Sequence, residues 1–460
     1  MRAGGPVRGA VISGSGSRLQ GTELPALRCA PPGPESLAWL ERFARVAAPM
    51  GPRPAPAAAL AGRAAAGTIV YQAAKGSNLL DVDGNRFVDL AAGFGSLLLG
   101  HDPSSVRLAL EHQSQQLWQA LGDLHPSDVK VRLLERLAEL HGAGSQSILG
   151  QSGADAVSAA LKTALLYTGK PAVIAFGGAY HGLSYGPLAL CGLRESYRAP
   201  FALQLNPAVR FIEYPTDQAS LGRSLAQARQ ELARGDVGAL VFEPILGRGG
   251  CLLPPLEFAP ALAELCRSSG SLLVADEIWT GLGRAGHWLY TESQGVQPDL
   301  VCLGKGLGGG LPISACVGRA EVMAAWSRSE EVVHTSTFAG APLACATALA
   351  TLDALAQQGL VSRSGELGAR WLQALAQVVA RPGLLPCELR GAGLMLGIEL
   401  PRGTGAALRL CRRLLAQGYV VSLGGGQRES LVLTPALNVS EAQLDGFVSA
   451  FADALAEVSA

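Results

Sequence analysis

The sequence predicts an α/β fold, in which a mostly parallel sheet carries helices on both faces and a smaller α+β domain follows it. Six short apolar segments alternate with helical patterns through the middle of the chain, at Ala172–Phe176, Val209–Tyr214, Gly238–Phe242, Ser271–Ala275, Leu300–Leu303 and Ser314–Gly318. Strands that are apolar at every position indicate a sheet buried on both faces. Hydrophobic residues form 48% of the 460 residues and charged ones 16%, so the chain can bury a large core.

The remaining elements are predicted from turn chemistry and helical periodicity. Two strands, Leu79–Asp83 and Arg86–Leu90, flank Asp83-Gly84-Asn85, which is typical of a hairpin turn. Periodicity predicts helices at Pro103–Leu121, Asp128–His141, Ala154–Tyr167, Ser220–Ala233 and Phe258–Ser268. A long helix after Pro342 opens the C-terminal part, which continues with the strands Leu394–Leu400 and Tyr419–Leu423 and the helix Glu441–Val458.

Composition and rhythm divide the chain into four parts. Residues 1–35 are rich in Gly, Arg, Ser and Pro and have no periodicity, which predicts a flexible N-terminal extension. We predict that residues 36–90 contribute to the small domain and that residues 91–345 form the large domain. Residues 346–460 then form the C-terminal small domain, because continuous apolar strands become rarer there.

Charge and cysteine content exclude several classes of function. Lys+Arg and Asp+Glu both total 37, so no net field draws the chain to nucleic acid or to an anionic membrane. Nine cysteines are scattered without a CxxC pair, which favours free thiols in a reducing cytoplasm, and we predict no metal site. The uncharged run Thr335–Leu352 begins with a polar turn and is too short to cross a bilayer, so we predict a buried helix there.

One lysine differs in its setting from the other four. The chain has 32 arginines but only five lysines, and Lys305 alone follows an apolar strand, Leu300–Leu303, between Gly304 and Gly306. The carboxyl ends of strands form the binding crevice of an open α/β sheet. Flanking glycines allow a bulky ligand to approach the backbone closely. An apolar setting favours the neutral amine, which a lysine needs to form a Schiff base.

The segment Gly304–Gly309 also matches the GxGxxG pattern of dinucleotide-binding folds. Such a fold requires a helix directly after the glycines. Here Leu311-Pro312 and a predicted strand follow instead. We therefore reject a dinucleotide site at this position.

Two further segments carry polar groups at the predicted binding edge. Asp276 ends the strand Ser271–Ala275, and an isolated carboxylate there needs a cationic partner. It serves either as a capping or ion-pairing residue or as the group that keeps a cofactor's pyridine nitrogen protonated. Ser152 and Asp155 form a variant of the capping box, so the amides of Gly153 and Ala154 are free to bind a phosphate. Capped helices are common, and this segment alone is weak support.

Together these residues resemble the class III aminotransferases of the fold-type I pyridoxal-phosphate enzymes. The resemblance runs from about Tyr71 to Phe451. It is carried by Leu80–Arg86, Ser152–Ala156, Tyr180-His181-Gly182, Glu243-Pro244, Asp276-Glu277, Gly281–Arg284, Gly304–Pro312 and His334–Pro342. It implies that pyridoxal 5'-phosphate is the cofactor and that residues 91–345 form the domain that binds it.

The resemblance implies a role for each matching residue. Lys305 would form the Schiff base and move protons, and Asp276 would pair with the pyridine nitrogen. Tyr180 would stack on the cofactor ring with His181 beside it. The other residues that the resemblance places at the cofactor are Ser152, Gly153, Ala154 and Glu243, with amides of Gly153 and Ala154 reaching the phosphate.

The resemblance also implies an obligate homodimer, because Thr337 would reach the phosphate of the neighbouring subunit. Simpler interpretations remain open for two of these residues. Tyr180 is otherwise a core aromatic residue, and Thr337 is otherwise a loop hydroxyl.

Three departures from the family pattern bear on the substrate. Asp155 stands where the family often has Glu, and Trp279 stands where many members have a Gln near the phenolic oxygen of the cofactor. Val432 occupies the place of an arginine found in many members that handle α-amino acids, so a carboxylate anchor is missing. Arg390 and Arg284 are the candidates to replace it. We therefore predict an amine or ω-amino acid as donor and a 2-oxo acid as acceptor, in a ping-pong cycle.

Two other classes of function are compatible with parts of this pattern. Lys305 and Asp276 would serve an aminomutase, racemase, decarboxylase or lyase as well as an aminotransferase. A non-catalytic binding protein on the same fold is the alternative from a different class. The intact pair of Lys305 and Asp276 argues against it.

Overall fold

The computed structural model describes residues 19–48, 67–328 and 330–460. Its strands are β1 Tyr71–Lys75, β2 Asn78–Asp81, β3 Arg86–Asp89, β4 Gln146–Gly150, β5 Ala172–Phe176, β6 Val209–Ile212, β7 Val237–Phe242, β8 Leu272–Asp276, β9 Leu300–Leu303, β10 Ser314–Gly318, β11 Glu388–Ala392, β12 Met395–Glu399, β13 Tyr419–Val420, β14 Ser422–Gly424 and β15 Ser430–Leu433.

The longer helices are α1 Pro34–Val46, α2 Ser104–Ser114, α3 Asp128–His141, α4 Gly153–Thr168, α5 Gln218–Leu232, α6 Phe258–Ser269, α7 Pro342–Gln357, α8 Leu360–Val379, α9 Ala406–Ala416 and α10 Glu441–Ser459. Short helical turns occupy Ala92–Gly95, Tyr185–Ala189, Glu195–Arg198, Ala199–Gln204, Tyr290–Gln294, Lys305–Gly308, Ala320–Met323 and Ala324–Arg328.

A seven-stranded sheet forms the centre of the molecule, in the order β4-β10-β9-β8-β7-β5-β6. The strands from β9 to β6 are all parallel, whereas β10 is antiparallel to both of its neighbours. The predicted mostly parallel sheet is therefore confirmed. Since β10 is the one reversed strand, β4, β5, β7, β8 and β9 all end at the same edge.

Helices cover both faces of this sheet, as the sequence predicts. Successive residues of β8 alternate between two buried clusters, with Leu272 and Val274 in one and Leu273 and Ala275 in the other. The first cluster includes residues of α4, and the second includes residues of α3, α5 and α6. Burial on both faces explains why the strands are apolar at every position.

Two smaller sheets complete the fold. The strands β11, β12, β15 and β14 form an antiparallel sheet packed with α8 and α9, which confirms the predicted smaller α+β domain. In the other sheet the hairpin of β2 and β3 pairs with β13, where Val88 lies opposite Tyr419 in parallel register. Residues from near the two ends of the chain thus share one sheet.

Several elements differ between prediction and structure. The strand predicted at Tyr419–Leu423 is divided into β13 and β14, which belong to different sheets. The helix predicted at Pro103–Leu121 ends at Ser114, because the indole N–H of Trp118 donates to the Ser114 carbonyl at 2.6 Å and takes up that group at the helix end. The strand β4 is not apparent in the sequence. It runs along the edge of the sheet, and only its last two residues are buried.

Residues 1–18 of the N-terminal extension lie outside the described residues. Residues 19–35 were expected to be flexible, but hydrogen bonds hold them against the hairpin. The amide of Glu23 donates to Asn78 Oδ1 at 2.9 Å, Ala26 bridges to Arg86, and Gln443 Nε2 donates to the Glu23 carbonyl at 3.0 Å. The polar composition of residues 19–35 does not indicate this order, because these residues make the contacts with their backbone groups.

The run Thr335–Leu352 behaves as predicted. It contributes the first part of α7, most of whose residues are buried in the protein. Across the residues that the structure describes, no helix is long and apolar enough to cross a membrane.

Candidate active site

Five strands deliver polar residues to one edge of the large sheet. Beyond the carboxyl ends of β4, β5, β7, β8 and β9, these residues surround a cavity of about 190 Å³. The cavity is lined by Gly153, Ala154, Tyr180, His181, Gly182, Glu243, Asp276, Ile278, Trp279 and Lys305. Seven of the nine residues predicted at the cofactor, all except Ser152 and Thr337, thus lie around one cavity.

A hydrogen-bonded pair lies at the base of the cavity. His181 Nδ1 is 2.7 Å from Asp276 Oδ2, and the amide of Ile278 donates to Asp276 Oδ1 at 3.1 Å. Burial alone would lower the pKa of His181, but the hydrogen bond and charge of Asp276 raise it above its usual value. Each oxygen of Asp276 has one partner, so the carboxylate can still accept a bond from a further donor.

Glu243 connects two loops beside this pair. Its Oε1 accepts from the Tyr180 amide at 2.6 Å, and its Oε2 accepts from the Gly247 amide at 3.1 Å. Burial raises the pKa of its carboxyl to about 7, and the nearby charge of Asp276 acts in the same direction. Glu243 therefore fixes the loop of Tyr180 relative to the loop that follows β7.

Lys305 lines the same cavity, and most of its side chain is removed from solvent. Burial lowers its pKa to about 8, although the negative charges of Asp276 and Glu243 oppose the change. Its Nζ lies 4.2 Å from the centre of the Trp279 ring system. The backbone φ of Lys305 is +37°, a left-handed conformation that costs free energy in a residue other than glycine. A lysine whose pKa is lowered in this way is more often neutral than an ordinary lysine and is therefore better suited to attack a carbonyl group.

One of the two glycines that flank Lys305, Gly306, has a different use from the one expected. A Cβ atom at Gly306 would lie 2.4 Å from the side chain of Leu98, so this glycine makes room for the protein core rather than for a ligand. We refer to the group of Lys305, Asp276, His181 and Glu243 as the polar floor.

The first turn of α4 faces the same cavity. The Ser152 hydroxyl accepts from the Asp155 amide, and Asp155 Oδ2 accepts from the Ser152 amide at 2.9 Å, so the predicted capping box is present. The amides of Gly153 and Ala154, in the first turn of α4, have no acceptor within the helix. With the helix dipole, they provide a site for an anion.

An apolar group closes the cavity next to Lys305. Trp279 belongs to a buried cluster with Val432, Met395, Ile245 and Cys251, which we call the apolar wall. A Cβ atom at Gly95 would lie 2.3 Å from Trp279 Nε1, and one at Gly247 would lie 2.4 Å from Trp279 Cε3. The indole therefore fits between two backbone segments that only glycine allows to approach so closely.

The two arginines proposed from the sequence as carboxylate anchors are already engaged. Arg284 is fully buried and donates to the carbonyl oxygens of Leu394 and Pro435, and burial lowers its pKa to about 9. Arg390 pairs with Glu388 and Glu399 and donates to the Gly250 carbonyl at 3.0 Å. These contacts occupy Arg390, whereas Arg284 is bonded only through Nη1, and its Nε and Nη2 are buried without a hydrogen-bond partner among the described residues. Neither arginine lines the cavity.

Comparison with known proteins decides between the possible chemistries of this site. The family model described as aminotransferase class-III matches residues 61–455. The chain belongs to the class III aminotransferases. It is a pyridoxal-phosphate-dependent transaminase, and the resemblance seen in the sequence is confirmed.

Similar proteins agree over nearly the whole chain. An acetylornithine aminotransferase of Methanosarcina mazei is 32% identical over 380 residues, which cover 83% of this chain and 90% of that protein. A putrescine aminotransferase of Pectobacterium atrosepticum is 34% identical over 389 residues, with 82% and 80% covered. The PLP-bound structure of an amine transaminase from an uncultivated Pseudomonas species has a TM-score of 0.81 at 28% identity, with 90% and 98% covered.

The residues of the cavity fit pyridoxal phosphate. The cavity offers a lysine, a carboxylate, an aromatic ring and helix amides around one space. In addition, His181 Nε2 is buried and has no hydrogen-bond partner within the described ranges, so a polar group of a ligand can complete it. No group of three or more potential metal ligands occurs among these residues.

Two predicted site residues lie apart from the cavity. The Ser152 hydroxyl caps α4, and Thr337 is exposed, with its carbonyl accepting from Gln119 Nε2 at 2.7 Å. Sequence reasoning did not single out Ile278 or Arg248. The only signal for Arg248 is its position in the glycine-rich segment Gly247–Gly250, directly after Glu243-Pro244.

Proposed function

We propose that this transaminase takes an amino group from an amine or ω-amino acid and passes it to a 2-oxo acid. The observation that carries the proposal is that Trp279, which lines the cavity, and Val432 belong to one apolar wall. A carboxylate buried against such a surface without a partner costs several kcal/mol. Two relatives named above, a putrescine aminotransferase and an amine transaminase, support a donor of this class.

In this proposal the polar floor holds and serves the cofactor. When bound, pyridoxal phosphate supplies an electron sink for the carbon next to the substrate nitrogen. Lys305 would hold the cofactor covalently, and its Nζ would carry the proton that is exchanged during the reaction. Its lowered pKa supports this role, because a neutral amine accepts a proton.

The other residues bind and orient the cofactor. Asp276 holds the pyridine nitrogen in its protonated form, and His181 keeps the carboxylate in place through their 2.7 Å contact. Tyr180 covers one face of the ring beside His181 and Glu243. Gly153 and Ala154 donate their amides to the phosphate, with Ser152 holding the turn in position.

The proposal includes a homodimer in which Thr337 serves the cofactor of the partner subunit. The exposure of Thr337 supports it, as do Phe338 and Trp118, whose side chains are 62% and 67% exposed close to this loop. Sedimentation of the active enzyme tests the assembly. A monomer that retains full activity at assay concentration would contradict it.

The proposed boundaries and compartment rest on fewer observations. Pairing of β3 with β13 supports the assignment of residues 36–90 to the small domain, next to the large domain of residues 91–345. All nine cysteines are free, which supports a reducing cytoplasm.

A donor screen tests the proposed substrate class. Purified holoenzyme is assayed with pyruvate and 2-oxoglutarate as acceptors against simple amines, ω-amino acids, glutamate and ornithine. We expect kcat/KM for the best amine or ω-amino acid to exceed that for glutamate by at least about tenfold, since the apolar wall leaves an α-carboxylate unpaired. Glutamate as the best donor would refute the proposed class.

A further inference from the structure

One arginine beside the cavity, Arg248, forms no side-chain hydrogen bond or ion pair among the described residues and contacts only an aromatic ring. The guanidinium carbon of Arg248 lies 4.9 Å from the centre of the Tyr180 ring, and Tyr180 lines the cavity. The charge of Arg248 also reaches Lys305, where it adds to the effect of burial in lowering the pKa of the amine. Arg248 is therefore close enough to the site to act on a charged substrate.

The backbone of Arg248 is held firmly on both sides. The preceding residue, Gly247, donates its amide to Glu243 Oε2, and the other oxygen of Glu243 accepts from Tyr180. The carbonyl of Arg248 accepts from the Gly425 amide at 2.8 Å. One carboxylate thus fixes the segment that carries the guanidinium relative to the ring on which the guanidinium stacks.

The guanidinium groups of the other arginines in this region form hydrogen bonds or ion pairs, although Nε and Nη2 of the fully buried Arg284 stay unpaired, whereas that of Arg248 forms neither among the described residues. Arg284 and Arg390 make the contacts described above, and Arg194 donates to the carbonyl oxygens of Gly426 and Gly425 at 2.6 and 3.0 Å. Within residues 19–48, 67–328 and 330–460, no acidic side chain forms an ion pair with Arg248. Stacking on Tyr180 leaves the N–H groups at its edge available, and these bind carboxylates in a bidentate manner.

The position of Arg248 also limits which carboxylate it can bind. Lys305 lines the cavity next to the apolar wall, whereas Arg248 lies outside that lining, on Tyr180. A carboxylate bound by Arg248 is therefore separated from the carbon that reacts at Lys305.

We infer that Arg248 binds the distal carboxylate of the substrate and so selects ω-amino acids as donors over amines without a carboxylate. The inference rests on the proposed function and narrows its substrate class. It also assigns to Arg248 the distal carboxylate of a dicarboxylic 2-oxo acid, because both half-reactions use the same cavity.

Two donors of equal chain length test this inference. The holoenzyme is assayed with 5-aminopentanoate and with pentylamine as donors. Pyruvate is the acceptor in both assays, because it has no distal carboxylate. In Arg248→Gln we expect KM for 5-aminopentanoate to rise about 10- to 100-fold, as for loss of hydrogen bonds to a charged group, with kcat little changed. For pentylamine, which has no carboxylate, we expect the decrease in kcat/KM to be at least about tenfold smaller than for 5-aminopentanoate.

Controls separate recognition of charge from damage to the structure. Arg136 also stacks on an aromatic ring, Trp288, away from the cavity, and Arg136→Gln should leave both donors unaffected. Arg248→Lys keeps the positive charge but lacks the planar guanidinium group, so it should recover part of the affinity for 5-aminopentanoate. Pentanoate binding, measured by calorimetry, should weaken in Arg248→Gln by the same factor as KM, and it requires no turnover.

The outcomes distinguish the inference from the proposed function. If wild-type enzyme transfers an amino group and Arg248→Gln affects the two donors equally or not at all, the inference is wrong and the proposed function stands. Wild-type enzyme that uses pentylamine but not 5-aminopentanoate would lead to the same conclusion. If wild-type enzyme uses neither donor, the proposed function fails and the inference fails with it.

Discussion

The polar floor and the apolar wall both contribute to one cavity, yet they are built in different ways. Asp276 ends β8, Glu243 directly follows β7, and Lys305 and His181 lie in the segments that follow β9 and β5, so the large sheet positions every residue of the floor. The residues of the wall come from distant parts of the chain, around residues 245–251, 279 and 395–432. The floor therefore depends on the sheet alone, whereas the wall depends on packing of the small domain against it.

This difference separates chemistry from specificity. In the proposed function the floor would provide a covalent link, a charge for the pyridine nitrogen and proton transfer, which any transamination requires. The wall and Arg248 determine which substrate reaches the floor. Substitutions in the floor should abolish turnover of every donor, whereas substitutions in the wall should change stability or the choice of donor.

The largest effect is expected for Lys305→Ala. Loss of the covalent link and of proton transfer should reduce turnover of all donors by more than roughly 10⁴-fold, because proton transfer alone contributes up to about that factor. The visible absorbance of the lysine-linked cofactor should disappear as well. Lys170→Ala is the matched control, since Lys170 donates only to the carbonyls of Ser269 and Gly270. Activity like that of wild type in Lys305→Ala would exclude this site.

The next effect concerns the charge at the pyridine nitrogen. Asp276→Asn should retain the cofactor but slow the chemical step by about 10²- to 10⁴-fold, which corresponds to a loss of about 3–5 kcal/mol of electrostatic stabilisation. Single-turnover kinetics with saturating donor measures this step. A decrease of less than about tenfold would assign Asp276 to a structural role.

A smaller effect tests the fit of the wall. Gly247→Ala places a Cβ atom 2.4 Å from Trp279 Cε3 and 2.9 Å from Met395 Cε, so it should destabilise the protein by about 1–3 kcal/mol. Thermal denaturation measures the loss, and adding Trp279→Leu should restore part of it. In the control Gly222→Ala, no heavy atom lies within 4 Å of the new Cβ atom, and the helix should be no less stable. Equal melting temperatures for the two alanine variants would show that the wall is loosely packed.

The smallest expected effect is a shift in the pH dependence of cofactor incorporation. Burial lowers the pKa of Lys305 to about 8, and only the neutral amine attacks the cofactor, so incorporation of cofactor into apoenzyme should accelerate up to about pH 8 and then level off. An ordinary lysine would titrate near pH 10.4. Asp276 raises this pKa, so Asp276→Asn should move the midpoint to lower pH. A rate that still increases steeply between about pH 9 and 10 would contradict burial of the amine.

Strand ends predicted Lys305 and Asp276 of the floor, whereas His181 and Glu243 were expected from the resemblance to the family. One apolar run ends at Asp276, and two others end just before Lys305 and Glu243. These runs indicate both the sheet and its binding edge. The edge strand β4 was missed, since only two of its five residues are buried and its pattern does not differ from that of a loop. Arg248 was missed for a similar reason, because nothing local shows that Glu243 and Gly425 hold its backbone beside Tyr180.

The wall could be predicted only in part. Trp279 and Val432 were recognised as apolar substitutions, and the structure adds that both belong to one cluster. Neither sequence spacing nor periodicity relates Trp279 to Gly95 or Gly247, since these contacts arise when separate loops pack together. Contacts between distant loops were also invisible when Arg284 and Arg390 were predicted as candidate carboxylate anchors. In the structure, Arg284 donates to backbone carbonyls and Arg390 pairs with two glutamates.

The visible absorbance of the purified holoenzyme provides the most direct test that the cavity performs transamination. Adding an amine or ω-amino acid donor without acceptor should convert the lysine-linked cofactor to its amine form and remove the visible band in a single turnover. Adding a 2-oxo acid after removal of the donor should restore the band and release the corresponding amino acid. A band that fails to respond to any donor, or that is not restored by a 2-oxo acid, would contradict transamination at Lys305.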